Sequence, residues 1–324
     1  MHSKLPLKMH RLNGLNGNQE ANKADALFPY PPYSIPQFKG VIIRNAIVIS
    51  DIHAGCKLGL CPPSVKLDEA GSYTHSPLQA KVWEMWLEFW DEWVPMVTRG
   101  EDYAVILNGD AIEGAHHNAS TPITNNLKDQ RAIAFEILSP IVNNPRCREY
   151  YHIRGTETHV GISGEHEEAL AEQLRAIPNE FGNHARWEMW YRLHGCLIHF
   201  THHVGSTSSA AYESTAVFKE LVEAYNESGR WNNEPPVAVV RSHRHRGMHI
   251  VIPTDSGYGM SIVTPGWQLK TPHVYRMGLG RSSTPQIGGY LLRHGDEDHL
   301  YPRFRIWKIQ RPAEVGNGRD EDNV

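Results

Sequence analysis

The sequence predicts an α/β domain, and three observations carry that prediction. Short apolar runs alternate with helical stretches through the first half, the second half is mostly strand-like, and 324 residues at 40 % hydrophobic content are enough to bury a large core. The first apolar run lies in "VIIRNAIVIS" and ends at Ser50; "YAVILNGD" and "EYYHIRG" are the next two, each followed by a helical stretch as in βαβ units. Between the first two, Trp83, Trp86, Trp90 and Trp93 fall at i, i+3, i+7 and i+10 of a helix over residues 77–97. A stripe packed on a sheet is the expected role of these indoles, ahead of a platform for bases. The domain proper spans 41–310. A polar and then proline-rich arm ("FPYPPYSIPQF") precedes it over 1–40, and a polar, acidic tail follows over 311–324.

Charge and composition narrow the function classes. A net charge of −4 does not suit a protein that holds polyanions by bulk charge. Twenty histidines are many for this length, and a neutral imidazole is the commonest side-chain metal ligand. Four cysteines without a C-x-x-C pair read as reduced thiols in a cytoplasm, with a zinc shared by Cys56 and Cys61 as the lesser alternative. No apolar signal region and no run of about eighteen apolar residues is present, so neither a membrane span nor a membrane partner is expected.

Acids and histidines recur at the ends of the apolar runs. "AIVISDIH" ends in Asp51 and His53, which alternation along an extended chain would aim the same way, so that they can share one ion. "AVILNGD" ends in Gly109 and Asp110, "LIHFTHH" in His202 and His203, and "VAVVRSHRH" in His243 and His245, two imidazoles that an extended chain would also aim the same way. In an open α/β sheet such residues converge outside the carboxyl ends of the strands. The stretch "AVVRSHRHRGMH" has a second reading as a basic patch for nucleic acid.

In order and placement these pieces resemble the calcineurin-like metallophosphoesterase family over roughly Val48 to Gly266: D-x-H, then G-D-x-x-E, then a glycine turn with acid and histidine, then a strand-end histidine, then H-x-H. "IVTPGW" is similar to the strand and glycine turn that follow the last motif. The resemblance implies a four-layer fold, a central β-sandwich flanked by helices, with two divalent ions. Asp51, His53 and His245 would hold one ion, His202 and His243 the other, and Asp110 would bridge them. Manganese is favoured, with iron, zinc and nickel as alternatives. Two such ions roughly 3.5–4 Å apart grip a phosphoryl group and lower the pKa of water to as little as about 7, so the expected reaction is phosphate-ester hydrolysis by metal-bound hydroxide.

The third motif departs from the family. Where the family has G-N-H-[DE], this chain has "RGTETHVG"; aligning on the glycine puts Thr156 at the asparagine, and aligning on the histidine puts Thr158 there. The expectation is that Glu157 takes the second-metal position and that His159 is the general acid. A degenerate loop with one metal is the alternative. "GDAIEG" also lacks the arginine of the phosphoprotein phosphatases, which disfavours that subgroup, and "RGTETHVG" is similar to uncharacterised phosphoesterases of bacteriophage type. His117, beside His116, and Arg241 are expected substrate contacts. Arg154, Arg241, Arg244 and Arg246 favour a phosphodiester such as a nucleic acid or nucleotide, unless they pair with nearby acids. A phosphomonoesterase and a non-catalytic, metal-stabilised binding protein are the rival readings.

Overall fold

The computed structural model describes residues 42–68, 71–115, 119–161, 163–205, 210–255, 257–276, 284–295, 299–307 and 309. The expected arm, tail, His116 and His117 lie outside them. Two sheets face each other. The first has the order β13-β12-β1-β4-β5-β6, built from β1 (Asn45–Ile49), β4 (Tyr103–Asn108), β5 (Cys147–Ile153), β6 (Ala185–Arg186), β12 (Ile287–His294) and β13 (Leu300–Trp307). Its β1, β4, β5 and β6 are mutually parallel, and β12 and β13 close one edge antiparallel. The second has the order β10-β11-β9-β8-β7, from β7 (Glu188–Leu193), β8 (Cys196–Thr201), β9 (Ala238–Arg241), β10 (Met248–Thr254) and β11 (Gly257–Val263). Here β8, β9 and β11 are parallel. A separate hairpin of β2 (Ser64–Leu67) and β3 (Gly71–Thr74) interrupts the first βαβ unit; its short polar strands carry little apolar signal.

Strand alternation assigns the two faces of the first sheet to two cores. Ala46, Val48, Ala104, Ile106 and Tyr290 pack against Ile198, Phe200, Val240 and Ile262 of the facing sheet. The intervening residues Ile47, Ile49, Val105, Leu107 and Leu291 pack outward onto helices α1 (Pro77–Glu88), α2 (Val94–Thr98), α3 (Leu127–Val142) and α5 (Glu165–Gln173). Helix α6 (Glu213–Trp231) covers the other sheet. The expected four-layer α/β architecture is therefore the one observed.

The tryptophan stripe is core, as expected. Ser76 caps α1 by accepting from the Gln79 amide while the Gln79 side chain accepts from the Ser76 amide. A π-helical turn, Phe89–Trp93, then joins α1 to α2. Trp86, Trp90 and Trp93 are buried, with Trp86 edge-on to Trp267 at 4.8 Å, while Trp83 is half-buried at the margin. None of the four cysteines forms a disulfide. Among the described residues no helix is long and apolar enough to cross a membrane.

Candidate metal centre

The parallel strands deliver their carboxyl ends to one edge of the sandwich, and a buried chain of polar side chains ties the two sheets there. Asn108 donates to the Ser242 hydroxyl (2.7 Å); Ser242 and Ser50 each share a hydrogen bond of 2.7 Å with Thr264. Above this chain the strands stop and the acids and histidines begin.

The sequence expectation that Asp51 and His53, and His243 and His245, align by extended-strand alternation is corrected. All four lie beyond their strands in left-handed turns, with φ of 53°, 45°, 69° and 51°, and Asp110 joins them at 54°. Such a conformation costs a non-glycine residue on the order of 1–2 kcal/mol. The turns are held by backbone bonds between loops: Asp51 N to Gly109 O (2.9 Å), His53 N to Asp110 O (3.1 Å), Trp267 N to Asp51 O (2.9 Å) and Gln286 N to His245 O (2.8 Å). Gly109, at φ 90°, lies against the ring of His202, where any Cβ would collide.

Both carboxylates are divided between structure and site. Asp51 accepts the His243 amide on Oδ2 (3.3 Å), and Asp110 accepts the Thr156 amide (2.8 Å) and hydroxyl (3.3 Å) on Oδ1. Their other oxygens, Asp51 Oδ1 and Asp110 Oδ2, are buried and have no hydrogen bond, and the same holds for His202 Nε2. Around Asp51 Oδ1 stand His245 Nε2 at 3.2 Å, His202 Nε2 at 3.9 Å and His53 Nε2 at 4.0 Å. Around Asp110 Oδ2 stand His202 Nε2 at 3.0 Å, His243 Nδ1 at 3.9 Å and His53 Nε2 at 4.0 Å. The Nδ1–H of His202 donates to Asn108 O at 2.7 Å, so Nε2 is the nitrogen directed inward. Orphaned carboxylate and imidazole atoms sharing one buried space fit divalent cations, and mixed imidazole and carboxylate donors suit the first-row metals.

Two groups in the cluster match the expected ligand sets, Asp51–His53–His245 and Asp110–His202–His243. A third, His53–Glu113–His159, was not foreseen. His159 is half-buried with its ring edge-on to His53 at 4.5 Å, beside the centre.

Glu157 is not gathered in. It is exposed at the start of the one-turn helix α4 (Glu157–Val160), because the bonds from Thr156 to Asp110 fix the turn so that residues 157 and 158 project outward and His159 returns. Thr156 therefore stands where glycine alignment puts it, as a donor to Asp110. Arg241 is also corrected: it is buried on the α6 side of its sheet, donating to Glu220 (2.8 Å) and to His199 O (3.2 Å). There it lines a surface hollow of about 480 Å³ with Trp190 and Trp231, which contains none of the clustered ligands. The other arginines are paired as well, Arg154 with Glu168 and both Arg244 and Arg246 with Glu213.

No family model and no curated protein matches this sequence. Among solved structures the chain is similar to Vps29 of Chaetomium thermophilum (8 % identity, TM-score 0.35, covering 84 % of this chain and 100 % of that one). It is also similar to Vacuolar Protein Sorting 29 of Cryptosporidium parvum (10 %, TM-score 0.33, 82 % and 98 %) and to protein TM1076 of Thermotoga maritima (11 %, TM-score 0.31, 82 % and 100 %). These likenesses are too distant to transfer a residue role or an activity to this chain.

One supporting residue was missed by sequence reasoning. Glu167 of α5 is fully buried and accepts the amides of Ala111 and Gly155, both at 2.8 Å, so a single carboxylate joins the Asp110 turn to the "RGTETHVG" loop. No local signal separates it from Glu165 and Glu168 on the same acidic helix.

Proposed function

We infer that the chain hydrolyses phosphate esters with two divalent cations, one held by Asp51, His53 and His245, the other by His202 and His243, with Asp110 between them. The observation that carries this reading is the pair of buried carboxylate oxygens, Asp51 Oδ1 and Asp110 Oδ2, each without a hydrogen bond and each facing three imidazole nitrogens. When bound, such cations polarise the ester and activate water. The chain's own part is to fix the ligands through Gly109, Thr156 and Glu167, and to supply a proton to the leaving oxygen from His159.

The substrate class is kept at phosphate ester. The arginine argument for a phosphodiester loses its support, because Arg154, Arg241, Arg244 and Arg246 all face glutamates. The same pairing disfavours a metal-free nucleic-acid module. A metal-stabilised binding protein is the second reading, favoured by the loop after β5, where Thr156 contributes donors and Glu157 faces solvent.

Hydrolysis of a chromogenic phosphomonoester and its diester, by chelated protein reloaded with manganese, separates these readings. Turnover that needs metal and is lost in Asp110→Asn is the expected result. Metal-loaded protein silent on both esters and on a panel of nucleotides would favour the binding protein.

A further inference from the structure

The surface hollow beside Arg241 lies between α6 and the outer face of the second sheet, where Trp190, His199 and Arg241 alternate with the residues that face the sandwich core. At about 480 Å³ it has the size of a small-molecule site. Two tryptophans line it and stay open to solvent, Trp190 at 48 % and Trp231 at 72 % exposure. Both are held in place: Trp190 stacks on His199 at 4.2 Å, and the Trp231 indole donates to Glu227 at 3.0 Å. One exposed indole is ordinary, but two that line the same hollow make an apolar patch of the kind that marks a ligand site.

The charge around the indoles has one sign. Glu220, Glu223 and Glu227 follow one face of α6 at i, i+3 and i+7, and Glu234 lies beyond its end. Arg241 neutralises Glu220 (2.8 Å), Arg230 neutralises Glu227 (2.6 Å) and Arg192 neutralises Glu234 (3.0 Å). Glu223 alone of the four makes no hydrogen bond or ion pair with the described residues. Burial and the neighbouring Arg241 lower the pKa of His199 to about 4, so its imidazole adds no positive charge at neutral pH.

We propose that this hollow binds a small monovalent organic cation with an apolar body, an alkylammonium or quaternary ammonium compound, with Trp190 and Trp231 supplying ring faces and Glu223 the counter-charge. The face of an indole attracts a cation, and most strongly where water is excluded. An anion would meet four glutamates and find Arg241 already engaged by Glu220, His199 O and Val240 O. A divalent ion does not suit the hollow, because among the described residues its acids do not come together as a metal site requires. The same acids repel the phosphate of a lipid headgroup, so a free amine is the assigned ligand.

Choline is the probe, and its neutral isostere dimethylbutanol, in which carbon replaces the ammonium nitrogen, is the control. Chelated full-length protein carrying fluorotryptophan is titrated with each and followed by fluorine spectra, with the two signals assigned by Trp190→Leu and Trp231→Leu. Saturable shifts of both signals are expected, with choline bound about 10-fold or more tightly than either dimethylbutanol or phosphocholine. Trp231→Leu should weaken choline binding about 2- to 30-fold, read on the Trp190 signal, and Glu223→Gln about 2- to 5-fold. Both positions are exposed, so neither variant disturbs a core. Equal binding of dimethylbutanol, choline binding indifferent to both substitutions, or the absence of a saturable shift would overturn the proposal. Because the titrated protein is metal-free, the outcome is independent of the proposed hydrolysis.

Discussion

At the scale of single residues, the centre depends on using the two oxygens of a carboxylate differently. Asp110 gives Oδ1 to Thr156 and Oδ2 to the cluster, so Asp110→Asn keeps the shape but loses the shared charge. Outer partners of a metal ligand are worth 10- to 100-fold, so losing this ligand should lower manganese affinity or turnover by at least about 100-fold, measured by calorimetry and ester hydrolysis. His159→Ala should slow turnover about 10²- to 10⁴-fold with metal content unchanged by elemental analysis; loss of a metal would show that His159 is a ligand. The charges also give a pH signature. Burial disfavours ionising His202, but the Asp110 carboxylate outweighs it and lifts the pKa from 6.5 to about 10. In the metal-free chain that stabilisation is complete below pH 6.5 and is lost as pH rises toward 10. The melting-temperature gap between metal-free wild type and His202→Gln should therefore shrink over that range; a gap that widens would contradict the pairing. Cations need His202 neutral, so manganese affinity should rise with pH over the same interval. Asp51, Asp110, His53, His202, His243 and His245 were legible because each follows an apolar run directly. Glu157 and Arg241 were not, because their directions depend on bonds to Asp110 and Glu220, which are far away in sequence.

At the scale of elements, the residues directly beyond the strand ends are bonded from one loop to the next. Glu167 is the clearest case, with one carboxylate accepting amides from two loops. Removing it leaves two buried N–H groups without an acceptor at about 1–3 kcal/mol each. Glu167→Ala should therefore destabilise the protein by roughly 2–5 kcal/mol in urea unfolding, and a change below about 0.5 kcal/mol, the range of ordinary surface substitutions, would contradict the staple. The strands and the tryptophan helix could be read from periodicity. The left-handed turns could not, since Asp and His in an S-D-x-H or S-H-x-H stretch suit an extended path equally well, and tertiary bonds to Gly109, Trp267 and Gln286 decide between them. The π-turn at Phe89–Trp93 was hidden for a similar reason: packing of Phe89 on Trp93 and Trp267 selects it, while composition suggests an unbroken helix.

At the scale of the whole molecule, the two sheets share one apolar core, a second lies between the first sheet and its helices, and Asn108, Ser242, Thr264 and Ser50 pin the sheets together at one edge, where the cluster draws side chains from both. Asp51, His53 and Asp110 follow strands of one sheet; His202, His243 and His245 follow strands of the other. Cations bound there would join the sheets, and at 100 times the dissociation constant one site adds about 2.7 kcal/mol of stability by mass action. The most direct test is the metal stoichiometry of chelated protein titrated with manganese, wild type beside Asp110→Asn. Two ions per chain, with binding at both sites weakened by the substitution, is the expected result. A chain that binds none, or whose manganese uptake is indifferent to Asp110, would contradict the binuclear centre.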